Sequence, residues 1–190
     1  MALAHQTRLF GVNDAAVYKL STDPAGAPPT YAAKVDMVGV KSMELTLETD
    51  TKELRGDNSL LAADSVLKVL KGKVMYAKFN FDVWTALLTT TATDSGTTPN
   101  QKTIMTLAQT DTPVFGKLEA QSKQVDYVGG DMHYLCYKCM PGNFMAGFAE
   151  ENYREQSFDF ISVPLIGTIA GGPAAAWFSA VVNETSVSIV

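Results

Sequence analysis

Cysteine, histidine, basic clusters and long apolar runs are all scarce in this sequence, and each scarcity removes a class of function. Only two cysteines and two histidines occur in 190 residues. Two cysteines cannot build a disulfide framework and fit a reducing compartment. With neither histidine beside a Ser or Asp signature, no Ser-His-Asp or Cys-His pairing can be argued, so the sequence predicts a protein that is not an enzyme. The net charge is −5 and the pI near 5.0. No run of Lys or Arg follows a phosphate backbone, which argues against a DNA-gripping protein. The most apolar stretch, Ile161 to Ala170, is short and broken by Ser162, Pro164, Gly167 and Thr168, far from the roughly 20 apolar residues of a membrane span. The first twenty residues lack a cationic region followed by an apolar one, so the product is expected to stay in the cytoplasm where it is made.

Other chemical motifs are also missing. Gly129-Gly130-Asp131 and Gly171-Gly172-Pro173 lack the spacing that brings backbone amides onto phosphates and read as turns. The acids Glu150-Glu151, and Glu53 with Asp57, read as solvated surface. No cofactor is expected.

What is present describes one globular domain over residues 1–190, with 46% hydrophobic and 18% charged residues. Its dominant pattern is period-two alternation. In Lys41 to Glu48, Met43, Leu45 and Leu47 share one face while Ser42, Glu44, Thr46 and Glu48 share the other, which predicts a half-buried strand. Similar segments run over Val66 to Phe81, Gly116 to Tyr127, Met132 to Met140, Glu155 to Val163 and Trp177 to Val182. The fold class is therefore mainly β, a sandwich or barrel. One short flanking α-helix is expected at about residues 82–89, with Asp82 as N-cap and Val83, Trp84, Leu87 and Leu88 at helical spacing. Residues 21–31 and 89–101 read as long loops or arms, the first rich in Pro and the second in Thr.

His133, Cys136 and Cys139 form H-x-x-C-x-x-C, three zinc-type ligands in sequence. On a regular strand, residues three apart point to opposite faces, so the set is expected not to converge, and the fourth ligand is missing because the only other histidine is His5. Ordinary strand cysteines are the expectation; a zinc-dependent enzyme is the competing one. Arg55-Gly56-Asp57 is read as a turn between strands and not as an adhesion ligand.

The order of elements carries a resemblance. Val38-Gly39-Val40-Lys41-Ser42 leads into an alternating strand, then Glu53-Leu54-Arg55-Gly56-Asp57-Asn58, a long strand pair, and Asp82-Val83-Trp84-Thr85-Ala86-Leu87-Leu88. Phe115 to Ala120, Asp131 to Cys139 and Gln156 to Pro164 continue it, so that roughly residues 36–165 resemble the major tail tube proteins of long-tailed bacteriophages (the siphophage tail tube family). The resemblance implies a structural virion protein. It implies a β-sandwich with one helix, subunits joined edge to edge into hexameric rings, and rings stacked into the tail tube that conducts DNA into the host. It further implies synthesis in the host cytoplasm, residence in the virion tail, and the tape measure, tail terminator and tail tip proteins as partners. DNA would pass without specific binding along an acidic lumen, for which Glu44 and Glu48 are the candidate lining residues. Pro24, Pro28, Pro29, Tyr31, Thr97 and Pro99 are the candidate inter-ring contacts. Residues beyond about 170 match no motif of the family. The alternative is a virion decoration or receptor-binding β-sandwich module.

Overall fold

A computed structural model describes residues 8–56, 59–126, 129–147, 155–169 and 171–189. The elements in chain order are β1 (Leu9–Thr22), β2 (Thr30–Tyr31), β3 (Val35–Asp36), β4 (Val40–Gly56), β5 (Ser59–Tyr76), α1 (Phe81–Leu87), β6 (Ala92–Ser95), β7 (Lys102–Met105), β8 (Gly116–Gln124), β9 (Asp131–Met145), β10 (Gln156–Ser162) and β11 (Phe178–Asn183). The chain is mainly β with one short helix, as its alternation predicts.

All strands but β6 and β7 belong to one antiparallel sheet, ordered β2-β1-β8-β9-β10-β5-β4, with β3 also on β1 and β11 also on β9. The sheet curls until β1, next to one end of the path, approaches β4 at the other end. Both halves then face one core in a sandwich-like arrangement, with Val17, Leu118 and Cys136 from one half and Val74, Phe158 and Phe160 from the other.

α1 closes one side of that core. Asn80, and not Asp82, is its N-cap: the Asn80 side-chain oxygen accepts from the Asp82 amide at 2.9 Å, which leaves Asp82 in the first turn against the helix dipole. Val83, Trp84, Ala86 and Leu87 are buried. Trp84 donates its indole N–H to the Tyr76 hydroxyl at 3.1 Å, so the polar end of each ring is satisfied in the core. Burial pushes the Tyr76 phenol up from its ordinary value.

β1 has no alternating signature. Ala15, Ala16, Val17 and Tyr18 are all buried, because Ala15 and Val17 face the main core while Ala16 and Tyr18 pack in a second cluster on the opposite face with Ile189. β5 ends at Tyr76, five residues before the expected Phe81, and begins at Ser59, seven before the expected Val66. β9 continues through Pro141 to Met145 by means of a bulge, where Asn143 takes a positive φ of 43°.

Gly72 is fixed by close approach. A Cβ there would lie 2.6 Å from the Glu44 carbonyl oxygen and closer still to the Phe160 ring. Gly72→Ala is expected to lower stability by about 1–3 kcal/mol through overpacking, measured by urea unfolding, with an unchanged m-value.

Candidate assembly surface

β4 and β5 pair along their full length, from Val40 opposite Tyr76 to Gly56 opposite Ser59. The core covers only the near half, where Met43 and Leu45 pack inward and Leu70 and Val74 are buried. Residues 49–55 and 62–68 are exposed throughout. Seven residues of strand correspond to roughly 23 Å of two-stranded ribbon beyond the body. Thr51 and Ser65 hydrogen-bond across it at 2.9 Å, and Arg55 pairs with Glu53 at 2.6 Å. Such contacts contribute little, and a two-stranded ribbon without a covering layer is marginal in water. The ribbon nevertheless exposes Leu54 and Val66 at 61% and 67%. Arg55 and Gly56 close β4, while Asp57 and Asn58 at the expected turn lie outside the described residues.

At the foot of the ribbon is an open apolar groove of about 900 Å³. Leu45, Leu47 and Leu67 form one wall, and Trp177, Phe178 and Leu9 face them. Among the described residues no Asp, Glu, His, Lys, Arg or Cys lines it, and its walls are mostly apolar. Trp177 and Phe178, which match no family motif, are part of this wall. The outer edge of β4 has no neighbour among the described residues, which leaves a 17-residue strand open to pairing.

The face of β4 that carries Glu44 and Glu48 is charge-compensated. Glu44 lies in register with Lys73, and Lys73 with Asp159 of β10. Lys71 reaches Glu48 at 2.8 Å, and Lys41 pairs with Glu155. Glu44 is exposed and Glu48 half-buried. The two acids thus belong to a cross-strand ladder of alternating sign, and β5 supplies the lysines.

The arms are more structured than loops. The segment 21–31 returns through β2, and its base is held by Asp23. That carboxylate accepts from Lys138 Nζ at 2.6 Å and from the amides of Ile166 and Gly167 at 3.0 and 2.8 Å. Burial opposes ionisation of Asp23, but these donors hold its carboxyl below the ordinary value. Pro24 and Pro28 are exposed and Pro29 is half-buried. Tyr31 points home: its hydroxyl donates to the Tyr137 carbonyl at 2.9 Å, and burial pushes the phenol up. Within 89–101 the chain forms β6 and continues to β7 as a small separate hairpin, with Thr97 and Pro99 at its exposed turn.

His133 and the two cysteines do not converge: alternation places His133 and Cys136 on opposite faces, as expected, but the two cysteines depart from it. Gly116 pairs with Cys139 and Leu118 with Cys136, so three residues of β9 span two of β8. This bulge turns both cysteines onto the same core face, where burial drives the Cys139 thiol well above its ordinary value. His133 lies on the opposite face beside Glu119. Among the described residues no three His, Cys, Asp or Glu side chains are arranged to hold a metal ion, and His5 lies outside them.

Asp23→Ala strands Lys138, whose side chain is only 11% exposed. The expected loss is about 3 kcal/mol by chemical denaturation, with faster hydrogen exchange at the Ile166 and Gly167 amides. Compared with known protein families and with curated proteins, the chain matches none.

Proposed function

We propose that this chain is a structural subunit of a phage tail tube, assembling as hexameric rings that stack into the conduit for DNA. The single observation that carries the reading is an uncovered β4–β5 ribbon that projects beyond the body with an open apolar groove at its foot. Unlike patches that complement one another make heterologous contacts, and such contacts give rings when the rotation closes and filaments when it does not. The open edge of β4 supplies a second contact of the same kind, in which a neighbour's strand extends the sheet. The element order shared with siphophage tail tube proteins supports six copies per ring.

On this reading the subunit performs no catalysis. Its partners would be the tape measure, tail terminator and tail tip proteins. The ladder of Glu44, Lys73, Asp159, Glu48 and Lys71 would present a nearly neutral wall, on which DNA phosphates find neither strong attraction nor strong repulsion. The subunit would be made in the host cytoplasm and end in the virion tail.

Size-exclusion chromatography with negative-stain microscopy of concentrated protein tests the proposal. Sixfold rings or hollow tubes are expected. Leu67→Glu changes a side chain that is 54% exposed at the groove, so it is expected to leave a folded monomer, with stability altered by less than about 1 kcal/mol, while abolishing tubes. A closed trimer that persists in both proteins would overturn the reading in favour of a decoration or receptor-binding module.

A further inference from the structure

The residues after β11 cross the outer face of β8 and β9 without forming a strand. Asp131 holds them. Its Oδ2 accepts from the Val187 amide at 2.7 Å and the Ser186 hydroxyl at 2.8 Å, and its Oδ1 accepts from the Asn183 side chain at 2.7 Å. Gln121 donates to the Val187 carbonyl at 3.1 Å, and Lys34 to the Ile189 carbonyl at 2.9 Å. Ile189, 2% exposed, packs on Ala16, Tyr18 and Tyr31.

Beneath this segment runs a buried row of alternating charge. Lys117 contacts Glu119 at 3.0 Å, Glu119 contacts His133 Nδ1 at 3.0 Å, and His133 Nε2 lies 3.3 Å from Asp131 Oδ2. That last approach has ion-pair distance without hydrogen-bond alignment, since Nε2 has no hydrogen-bond partner. With His133 protonated the four groups sum to zero. With His133 neutral the row keeps one uncompensated negative charge away from water, a state that hydration relieves.

We propose that residues 184–189 form a releasable strap over β8 and β9, and that the charge on His133 decides how firmly the strap is seated. The opening would uncover Ala16 and Tyr18 of β1 together with the face of β8. This assignment concerns the single chain and stands independently of the tube reading.

Other charges around the row are Lys123 of β8, in register with Asp131, Asp14 on β1, in register with Gln121, and Asp36 and Lys34 from the β3 segment; Tyr18 of β1 also faces it, its phenol pushed up by burial and by Glu119. β11 brings Val181 opposite His133 and Asn183 opposite Asp131, neither of which titrates. Burial opposes protonation of His133, but Glu119 and Asp131 overcome it and raise the imidazole above its ordinary 6.5. A raised value means that the stabilising contribution is complete below 6.5 and is lost as pH climbs through the seated value. Asp131 works in the other direction. Burial disfavours its charge, yet Asn183, Val187, Gln121 and Ser186 hold it at about 2, so its contribution is present above the ordinary 3.8 and lost as pH falls toward 2. The strap is therefore tightest between about pH 4 and about pH 6.5, and loosens as pH climbs beyond that.

Hydrogen-exchange mass spectrometry of segment 184–190 in the full-length protein, corrected for intrinsic exchange and compared with the β6–β7 hairpin, tests the proposal. Between pH 6 and 9 the segment should lose protection by about tenfold for each unit by which the seat raises the imidazole, while the hairpin stays level. His133→Gln should abolish that pH dependence. A flat wild-type profile, or an unchanged slope in the variant, would overturn the proposal. Should the variant not fold, the wild-type His133 titration followed by NMR decides: a midpoint shared with the loss of protection supports the strap, and separate midpoints overturn it.

Discussion

The long strand β9 is the member on which the two halves of this molecule depend. It pairs with β8 along one edge and with β11 and β10 in succession along the other. No other strand joins the Val17–Leu118 half to the Val74–Phe158 half directly. β9 can serve both because it is bulged twice, once beside Cys136 and Cys139 and once at Asn143, and each bulge re-aims its side chains as the sheet curls. Without those two extra residues a 15-residue strand would run flat, and the ends of the sheet would not meet over a common core.

That curl divides the outer surface into two territories of different character. Over β1, β8 and the first part of β9 the outer face is sealed by the terminal segment, and β8 is buried on both sides. Over β4, β5 and β10 it is open and carries paired charges at the register of Glu44, Lys73 and Asp159. The ribbon grows out of the open territory, and the groove lies where the two territories meet on the inner side. Roughly seven residues of each long strand thus lie beyond the core, held to each other and covered by nothing else.

The sequence made some of this legible, and the reason differs from element to element. Residues 41–48 alternate because one side of β4 is wet, so their strand and its two faces could be read directly. β1 was invisible to the same reasoning, because Ala15 to Tyr18 are covered on both sides and show no period of two. The helix was readable from Val83, Trp84, Leu87 and Leu88, but its cap was displaced by two residues because Asn80 and Asp82 offer equivalent side-chain oxygens. Alternation misplaced the faces of Cys136 and Cys139, since a bulge depends on how the partner strand is spaced and leaves no mark in the strand that contains it. The acids Glu44 and Glu48 were evident, while the lysines opposite them were not, because cross-strand register is a property of the pair. The groove is assembled from six separate stretches of chain, and no local pattern announces it.

The bulge beside the cysteines also bears on how the protein withstands air. Thiols react as thiolates, and two sulfurs sealed in an apolar core, one with its ionisation driven far upward, present almost none of that form to solvent. Oxidants and alkylating reagents reach those atoms only when the fold itself opens, so the sulfur chemistry of the folded chain is set by its burial.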